Sequence, residues 1–430
     1  MSREEFLLPK RLAVLAIVAA VALSAAAASV TVPPINFRHR TLANGLAVYS
    51  VEDHSAPVVA IQVWYHVGSV DDPPNRSGFA HLFEHMMFKS TAHMKSEMMD
   101  RLTEDVGGAN NATTTDDATY YYEEVPSNYL QTLLWAEADR MSSLNVDEAN
   151  FKSERSVVEE EYRTSVLAPP YGLFGYAIDK DSFFISPYRR PTIGSIEDLE
   201  AATLADVQKF HATYYRPDNA TLVVAGDIDP KQLDEWVDKY FGAIARPDTP
   251  IPRPDAKEPP HDVAKSINET GPSVPLPAVA MTWVAPPRTS PDRYALQVAA
   301  TILGDGESSR LYQSLVYRQQ IAQDVGAEAD LRESAGIFVV DVVAASGKPL
   351  AEVKQSLDAE LRAITDKPVT DAELEKAKNM IVTSQLRRLE TDEGKAFAIG
   401  YAATVMHDAS SVNEAVKKLQ AVTAADVQRV

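Results

Sequence analysis

Two stretches of the chain, Leu199-Glu-Ala-Ala-Thr-Leu-Ala-Asp-Val-Gln-Lys209 and Leu419-Gln-Ala-Val-Thr-Ala-Ala-Asp-Val-Gln-Arg429, share one pattern of residues. Each stretch predicts a helix that begins at its threonine, Thr203 or Thr423. An aspartate follows three residues later in both, which is a start similar to a capping box. Agreement in spacing and residue type across the two halves indicates an internal duplication. The sequence therefore predicts two homologous domains.

Hairpins and helix pairs are mixed along the first half, without strict β-α alternation. Residues 109–115 and 118–125 are predicted strands on either side of Asp116-Asp117, a typical hairpin turn. The other predicted strands and helices of this half are strands 46–51, 58–67 and 220–225 and helices 78–88, 94–106, 126–141, 146–165 and 230–241. In the second half, strands are predicted at 279–284, 324–330 and 336–344, with helices between and after them. This pattern favours an α+β fold, with a mainly antiparallel sheet flanked by helices in each domain.

A proline-rich polar stretch at residues 246–275 predicts a linker between the domains. We therefore expect an N-terminal domain at 29–245 and a C-terminal domain at 276–430. After Lys209 the first half continues through a predicted strand and helix, whereas the second copy of the pattern is followed only by Val430. We expect the second domain to be incomplete at its C-terminal end.

Composition excludes several classes of protein. The 430 residues include 41 Lys and Arg, 61 Asp and Glu and no Cys, and the formal net charge is −20. A strongly acidic chain argues against a nucleic-acid partner, because phosphate binding requires a basic surface. The lack of cysteine excludes disulfide scaffolds, thiolate metal sites and cysteine nucleophiles. Any metal ion must therefore bind to His, Asp or Glu.

The N-terminus has the pattern of a secretory signal peptide at residues 1–28. Lys10 and Arg11 precede an apolar run at 12–23, which five small residues follow. The alternative is an uncleaved membrane anchor, since 12–28 nearly reaches spanning length. No other segment is long and apolar enough to span a membrane, so we expect an exported, periplasmic protein.

The chemistry is concentrated in His81-Leu82-Phe83-Glu84-His85. On a helix, residues four apart lie on one face about 6 Å apart along the axis, so both imidazoles can bind one metal ion. Glu84 lies on the same face and can act on a water bound to that metal. The order H-x-x-E-H is the inverse of the usual zinc-protease motif.

A catalytic zinc ion needs a third protein ligand. The predicted helix around Glu154-Arg-Ser-Val-Val-Glu-Glu-Glu161 offers carboxylates, and Glu154 and Glu161 share a face because they are two turns apart. The local pattern does not choose among Glu159, Glu160 and Glu161.

Several motifs together resemble the pitrilysin/insulinase superfamily of inverzincin metallopeptidases, in its shorter branch similar to processing peptidases. The motifs are Gly68-Ser-Val-Asp-Asp, Ser77-Gly-Phe-Ala-His-Leu-Phe-Glu-His-Met-Met-Phe-Lys-Ser-Thr91, Glu154-Arg-Ser-Val-Val-Glu-Glu-Glu161 and Tyr214-Tyr-Arg-Pro-Asp-Asn-Ala-Thr-Leu-Val-Val-Ala-Gly226. The resemblance covers essentially the whole mature chain. It implies Zn²⁺ as cofactor and peptides as substrates.

The resemblance also implies roles for individual residues. It makes Glu161 the third zinc ligand and Glu154 the carboxylate that orients a ligand histidine. The segment after Gly107-Gly108 becomes an edge strand to which a substrate peptide adds as a further strand. Asn111 and Ala112 then match positions that contact the scissile region.

One departure from the family concerns an Arg and a Tyr, seven residues apart, that contact substrate and oxyanion. Alignment through Gly304-Asp-Gly-Glu-Ser-Ser-Arg-Leu311 places Val316 and Gln323 at these positions. Tyr317 and Arg318 lie nearby but at the wrong phase of an α-helix. In two-subunit members a homologous partner supplies the pair, so we expect a heterodimer.

The sequence thus predicts an exported zinc endopeptidase subunit with zinc on His81, His85 and Glu161 and with Glu84 as general base. The alternatives are a self-sufficient homodimeric peptidase and a non-catalytic core subunit. The seven other histidines lack ligand spacing and are interpreted as structural or solvated: His39, His54, His66, His93, His211, His261 and His407.

Overall fold

Six strands of the first half form one twisted sheet in the spatial order β1-β2-β6-β3-β5-β4. The strands are β1 (Arg38–Thr41), β2 (Ala47–Glu52), β3 (Val58–Tyr65), β4 (Ala109–Thr114), β5 (Thr119–Pro126) and β6 (Ala220–Gly226). All neighbours are antiparallel except β2 and β6, which run parallel. The predicted hairpin at Asp116-Asp117 joins β4 to β5, and β4 is the edge of the sheet.

The computed structural model describes residues 32–255 and 257–430. The chain divides into two units, Met1–Pro34 and Ile35–Val430, and every helix and strand of the described residues belongs to the second unit. The predicted signal peptide at 1–28 lies outside the described residues. Within them, no helix is long and apolar enough to cross a membrane.

Helices cover one face of this sheet and enclose the main hydrophobic core. The helices of this half are α1 (Phe79–Met86), α2 (Met98–Glu104), α3 (Leu130–Ser143), α4 (Glu148–Tyr162), α5 (Gly172–Ser182), α6 (Ile196–Glu200), α7 (Leu204–Tyr214) and α8 (Pro230–Phe241). A short π-helix, Arg163–Leu167, extends α4.

The second half repeats the architecture with three antiparallel strands in the order β7-β9-β8. Its elements are β7 (Ala278–Ala285), α9 (Arg293–Gly304), β8 (Ala322–Leu331), β9 (Gly336–Ala344), α10 (Leu350–Asp366), α11 (Asp371–Arg388), α12 (Asp392–Thr404), α13 (Ala415–Gln420) and α14 (Ala424–Arg429). A separate hydrophobic core lies between this sheet and its helices. The α+β prediction with two similar halves is confirmed.

The repeated sequence pattern forms the same local structure twice. Thr203 caps α7 and Thr423 caps α14, each accepting a hydrogen bond from the backbone N–H of the aspartate three residues later. The aspartate bonds back to the backbone N–H of the threonine in both, which completes a capping box. Local side-chain chemistry therefore sets both helix starts.

The predicted linker, 246–275, carries no helix or strand in its described residues, but it is anchored. The carboxylate of Glu258 accepts backbone hydrogen bonds from Phe184, Ile185 and Ser186 at 2.5, 3.2 and 2.9 Å. Charge-assisted bonds of this kind are stronger than neutral ones, so this segment is fixed to the first half. The division into domains at this segment stays a prediction.

Helix α12 belongs to the second half of the chain but packs on the sheet of the first half. Its residues Ala396 and Ile399 join a buried cluster with Trp64, which is 1% exposed. The ring of Phe397 meets that of Trp64 edge to face at 5.3 Å. Strands β3 and β6 are therefore buried on both faces, and the outer cover of the first sheet comes from a helix far away along the chain.

Gly400 provides a test of this contact. A Cβ at this position would lie 2.1 Å from Nε1 of Trp64, whose ring also stacks on Tyr120 and cannot yield. Gly400→Ala should lower the free energy of unfolding by about 1–3 kcal/mol, as overpacking typically does. Chemical denaturation monitored by Trp fluorescence measures the change.

The matched control is Gly175→Ala, a helical glycine whose added Cβ would meet no atom within 4 Å. That substitution should be neutral or stabilise the protein by up to about 1 kcal/mol. Equal stability of the two variants would contradict the tight packing of α12 on Trp64.

Candidate metal centre

Helix α1 carries the H-x-x-E-H motif and is embedded in the core of the first half. The side chains between and around the histidines, Phe79, Leu82, Phe83 and Met86, are fully buried. From the sheet, the hydroxyl of Tyr121 donates a 3.0 Å hydrogen bond to the carbonyl oxygen of Phe83. The helix is therefore fixed in position on β5 as well as along its apolar face.

A buried charge network supports that tyrosine. The guanidinium of Arg140 lies 4.4 Å from the centre of the Tyr121 ring and pairs with Glu123 and Glu137. Arg140 and Glu137 are fully buried. Burial and the neighbouring Glu137 raise the pKa of Glu123 well above its usual value.

The N-terminus of α1 is capped by a side chain outside the helix. The carboxylate of Asp72 accepts hydrogen bonds from the backbone N–H groups of Gly78 at 2.6 Å and Ala80 at 2.9 Å. Burial raises the pKa of Asp72 to about 7, while these bonds and Arg190 act in the opposite direction. Arg190 also donates to the carbonyl oxygen of Asp72 at 2.9 Å. The sequence placed Asp72 in a family motif without a role, and the structure makes it the cap.

Gly78 is required at the start of this helix. Its φ of +95° lies in the left-handed region, and a Cβ would stand 2.6 Å from the carbonyl oxygen of Ile193. The chain can therefore enter α1 at this angle only with glycine at position 78.

Three predicted ligands converge at one point. The Nε2 atoms of His81 and His85 lie 3.7 and 3.2 Å from Oε2 of Glu161, which projects from α4. The two imidazole rings are 4.9 Å apart and nearly perpendicular. One nitrogen from each histidine and one carboxylate oxygen all lie within 4.8 Å of one another.

This arrangement fits a zinc ion. Ligand atoms about 2.1 Å from a tetrahedral ion lie about 3.4 Å apart, close to the distances between each histidine and Glu161. Two imidazole nitrogens and one carboxylate oxygen form a typical donor set for catalytic zinc, with the remaining position open. His81 is 8% exposed, and its Nδ1 has no hydrogen-bond partner among the described residues.

The geometry also chooses among the three consecutive glutamates. Glu159 pairs with Arg155 and Arg163, and Glu160 pairs with Arg163. Glu161 alone of the three joins the cluster of possible metal ligands. Glu161 lies on the side of α4 that faces α1. The local sequence pattern could not show this.

The pKa values at the site differ between the two histidines. Burial lowers the pKa of His81. Burial acts in the same direction on His85, but its hydrogen bond to Glu161 and the charges of the surrounding carboxylates raise the pKa of His85 overall. The same hydrogen bond lowers the pKa of Glu161. The carboxylate is therefore ionised and available to a cation at neutral pH.

Glu154 lies one layer behind these residues and is 5% exposed. Its Oε2 is 3.9 Å from Nδ1 of His85, and its Oε1 is 2.8 Å from Nζ of Lys89. This position suits a carboxylate that orients His85. Lys89 had no predicted role and lies just after the C-terminal end of α1.

Glu84 and the predicted substrate positions surround the same point. Glu84 is partly exposed, and its charge acts on both histidines. Strand β4, which carries Asn111 and Ala112, packs beside α1. Asn111 is exposed, and Ala112 is buried. The edge position of β4 was predicted correctly, and the peptide contacts of both residues stay a prediction.

The segment expected to carry the Arg and Tyr pair is not an α-helix. Tyr312–Arg318 forms a π-helix, in which Gln319 N–H bonds to the carbonyl oxygen of Ser314. Val316 lies in this helix and Gln323 in β8, so an α-helical phase does not relate them. Tyr317 and Arg318 lie in the same π-helix, so the phase of an α-helix does not apply to them.

Comparison with known proteins agrees with this geometry. Residues 47–191 match the family described as "Insulinase (Peptidase family M16)", and residues 201–381 match "Peptidase M16 inactive domain". The chain is 32% identical over 344 residues to the "Zinc protease PqqE" of Helicobacter pylori, covering 79% of this chain and 77% of that protein. The chain belongs to peptidase family M16. It is a metallopeptidase of the pitrilysin/insulinase superfamily, and Zn²⁺ is its cofactor.

Two further relatives of this M16 peptidase are informative. A crystal structure described as a protease from Helicobacter pylori superposes with a TM-score of 0.88 at 29% identity, covering 92% of this chain and 96% of that one. A protein of Arabidopsis thaliana named "Probable mitochondrial-processing peptidase subunit beta, mitochondrial" is 25% identical, with 91% of this chain and 75% of that protein covered. The match to an inactive domain begins in the last part of the first half and covers most of the second half, and the matched residues contain no H-x-x-E-H motif.

Zinc binding by Glu161 can be tested directly. Glu161→Gln should lower the affinity for Zn²⁺ by more than about 100-fold, because it removes a ligand rather than a supporting contact. Competition with a chromophoric chelator gives the affinity.

The neighbouring Glu160→Gln is the control, since Glu160 is exposed and pairs with Arg163. That variant should bind Zn²⁺ as the wild type does. An unchanged affinity in Glu161→Gln would assign the third ligand elsewhere.

Proposed function

We propose that this chain is a zinc-dependent endopeptidase in which His81, His85 and Glu161 hold the metal ion. The observation that carries the proposal is the convergence of these three ligands from two helices, with Glu84 beside them. When bound there, Zn²⁺ would act as a Lewis acid toward the scissile carbonyl and would acidify water.

Glu84 is the general base in this proposal. Its carboxylate takes a proton from the attacking water and passes it to the nitrogen of the leaving amine. It projects from the same helix as both histidines, so its position relative to them is fixed by the packing of α1. A non-catalytic core subunit would have no use for a carboxylate at this position.

The free edge of β4 is the proposed binding surface for the peptide. Among the strands of the described residues, β4 pairs only with β5, so its other edge can bond to an extended chain. Asn111 and Ala112 lie on this strand next to α1, which would bring the backbone of a bound peptide past the metal ligands. Recognition through backbone hydrogen bonds favours flexible or unfolded segments over folded ones.

The general-base role predicts a separation of metal binding from catalysis. Glu84→Gln should keep its zinc and lose about 10²- to 10⁴-fold in kcat/KM on an internally quenched peptide. Zinc content by atomic absorption and peptide cleavage are measured on the same sample. Full activity in this variant would exclude Glu84 as the base, and loss of zinc would show that it acts as a ligand.

We also propose that the chain is exported and works with a homologous partner. The export proposal is supported by the sequence pattern of residues 1–28. The partner proposal is supported by Val316 and Gln323, which stand where an Arg and a Tyr are expected and cannot stabilise an oxyanion by charge. A self-sufficient homodimer is the second candidate, because Tyr317 is 69% exposed and Arg318 follows it.

Activity of the purified chain separates these two arrangements. A heterodimeric enzyme should cleave peptides only after addition of a homologue that lacks H-x-x-E-H and carries the Arg and Tyr. Cleavage by the chain alone, lost in Tyr317→Phe or Arg318→Gln, would favour the homodimer instead. Zinc content measured in parallel shows that an inactive preparation is loaded with metal.

A further inference from the structure

A second cluster of metal-binding side chains lies where the two halves of the chain meet. The Nε2 atom of His66 is 2.7 Å from Oε2 of Glu333, and the Nε2 atom of His407 is 3.1 Å from Oε1 of the same carboxylate. The two imidazole rings are 5.1 Å apart and meet edge to face. One donor atom from each of the three residues lies within 4.8 Å of the others, as in the cluster on α1.

These residues come from three distant parts of the chain. His66 directly follows β3, Glu333 lies in the turn between β8 and β9, and His407 follows α12. His66 belongs to the first half of the chain, and Glu333 and His407 belong to the second half. An ion bound at this point would therefore join the halves where the β8–β9 turn and α12 both reach the first sheet.

Hydrogen bonds fix two of the three residues before any ion binds. The backbone N–H of Glu333 donates to Asp117 at 2.9 Å, and Asp117 also accepts from the hydroxyl of Tyr188 at 2.5 Å. The backbone N–H of His66 donates to the carbonyl oxygen of Asn219 at 3.0 Å, and the carbonyl oxygen of His66 accepts from the side chain of Asn219 at 3.1 Å. Preorganised ligands lower the cost of binding an ion.

The surrounding charges favour a cation. The carboxylates of Asp71 and Asp117 lie in this region, and the nearby guanidinium of Arg253 stands 3.6 Å from Asp71. Glu333 is the third carboxylate of this group, and Arg253, which also donates to the carbonyl oxygen of His66 at 2.5 Å, offsets part of its negative charge. The site is partly open, since the side chain of His407 is 55% exposed, which provides a path for entry.

We propose that His66, Glu333 and His407 form a second Zn²⁺ site that fastens the two halves together. The donor set of two imidazole nitrogens and one carboxylate oxygen is the same as that of His81, His85 and Glu161 and suits zinc. The two nitrogens contact different oxygens of Glu333, at 2.7 and 3.1 Å. Ligand atoms around a tetrahedral ion lie about 3.4 Å apart, so these side chains must move outward to hold one. On binding, each Nε2 gives up its proton and presents its lone pair to the metal.

The alternative is that the same atoms form only hydrogen bonds, with Glu333 accepting from both imidazoles. The variant His407→Gln distinguishes the two, because a glutamine amide can donate to Glu333 but is a poor zinc ligand. The site is independent of catalysis, so its test uses metal content and stability rather than peptide cleavage.

The experiment counts zinc on the full chain after removal of metal and dialysis against Zn²⁺ buffered by a weak chelator. The wild type should bind two equivalents, and His407→Gln should bind one. The control His54→Gln removes an exposed histidine that also lies between two carboxylates, Glu52 and Asp227, and should leave two equivalents. One equivalent on the wild type, or two on His407→Gln, would overturn the proposal.

A second measurement isolates the new site. The variant His81→Ala/His85→Ala lacks the ligands on α1. Zn²⁺ should still raise its Tm, because the ion binds the folded state and not the unfolded state. Adding His407→Gln to that variant should abolish the rise. Two outcomes would refute the second Zn²⁺ site: a Tm of His81→Ala/His85→Ala that does not respond to Zn²⁺, or a rise in Tm that persists when His407→Gln is added.

Discussion

The capped N-terminus of α1 is the constraint on which the metal centre depends. Both histidines and Glu84 project from this helix, so the positions of their side chains depend on the position of the helix. The first N–H groups of a helix lack partners within it, and leaving them unpaired in a buried setting is costly. Asp72 satisfies two of these groups, and Gly78 allows the chain to enter at the required angle. Packing on Phe83 and the bond from Tyr121 then prevent the helix from rotating.

The two halves have the same type of fold but are not independent in their packing. Strand β3 is buried on both faces, and one of these faces is covered by α12 from the other half. Arg332, in the β8–β9 turn, adds ion pairs to Asp116 at 3.2 Å and to Asp179 at 2.6 Å. Removal of one partner of such a buried pair is strongly destabilising, because it leaves a buried charge without compensation. The half without the motif therefore supports the sheet on which α1 lies.

Carboxylates outnumber cations at the metal centre and also at the junction of the halves, in keeping with the net charge of −20. At the metal centre, Glu84, Glu154 and Glu161 face two imidazoles and Lys89, and a divalent cation would balance them. Such a surplus of negative charge in a partly buried place is unfavourable unless a cation compensates it. Binding of Zn²⁺ at this centre would therefore offset the repulsion among these carboxylates.

Much of the architecture could be predicted from the sequence, because it depends on interactions between residues that are close together in the chain. The spacing of His81, Glu84 and His85, the capping pattern at Thr203 and Thr423, and the turn at Asp116-Asp117 each depend on neighbours within a few positions, so sequence alone determined them. The choice of Glu161 over Glu159 and Glu160 was implied by the family resemblance, although the local pattern left it open. Two features required the tertiary structure: the crossing of α12 onto Trp64 and the meeting of His66 with His407. These depend on contacts between segments far apart in the chain, for which helical or strand periodicity carries no signal. Only the folded packing of the two halves decided them.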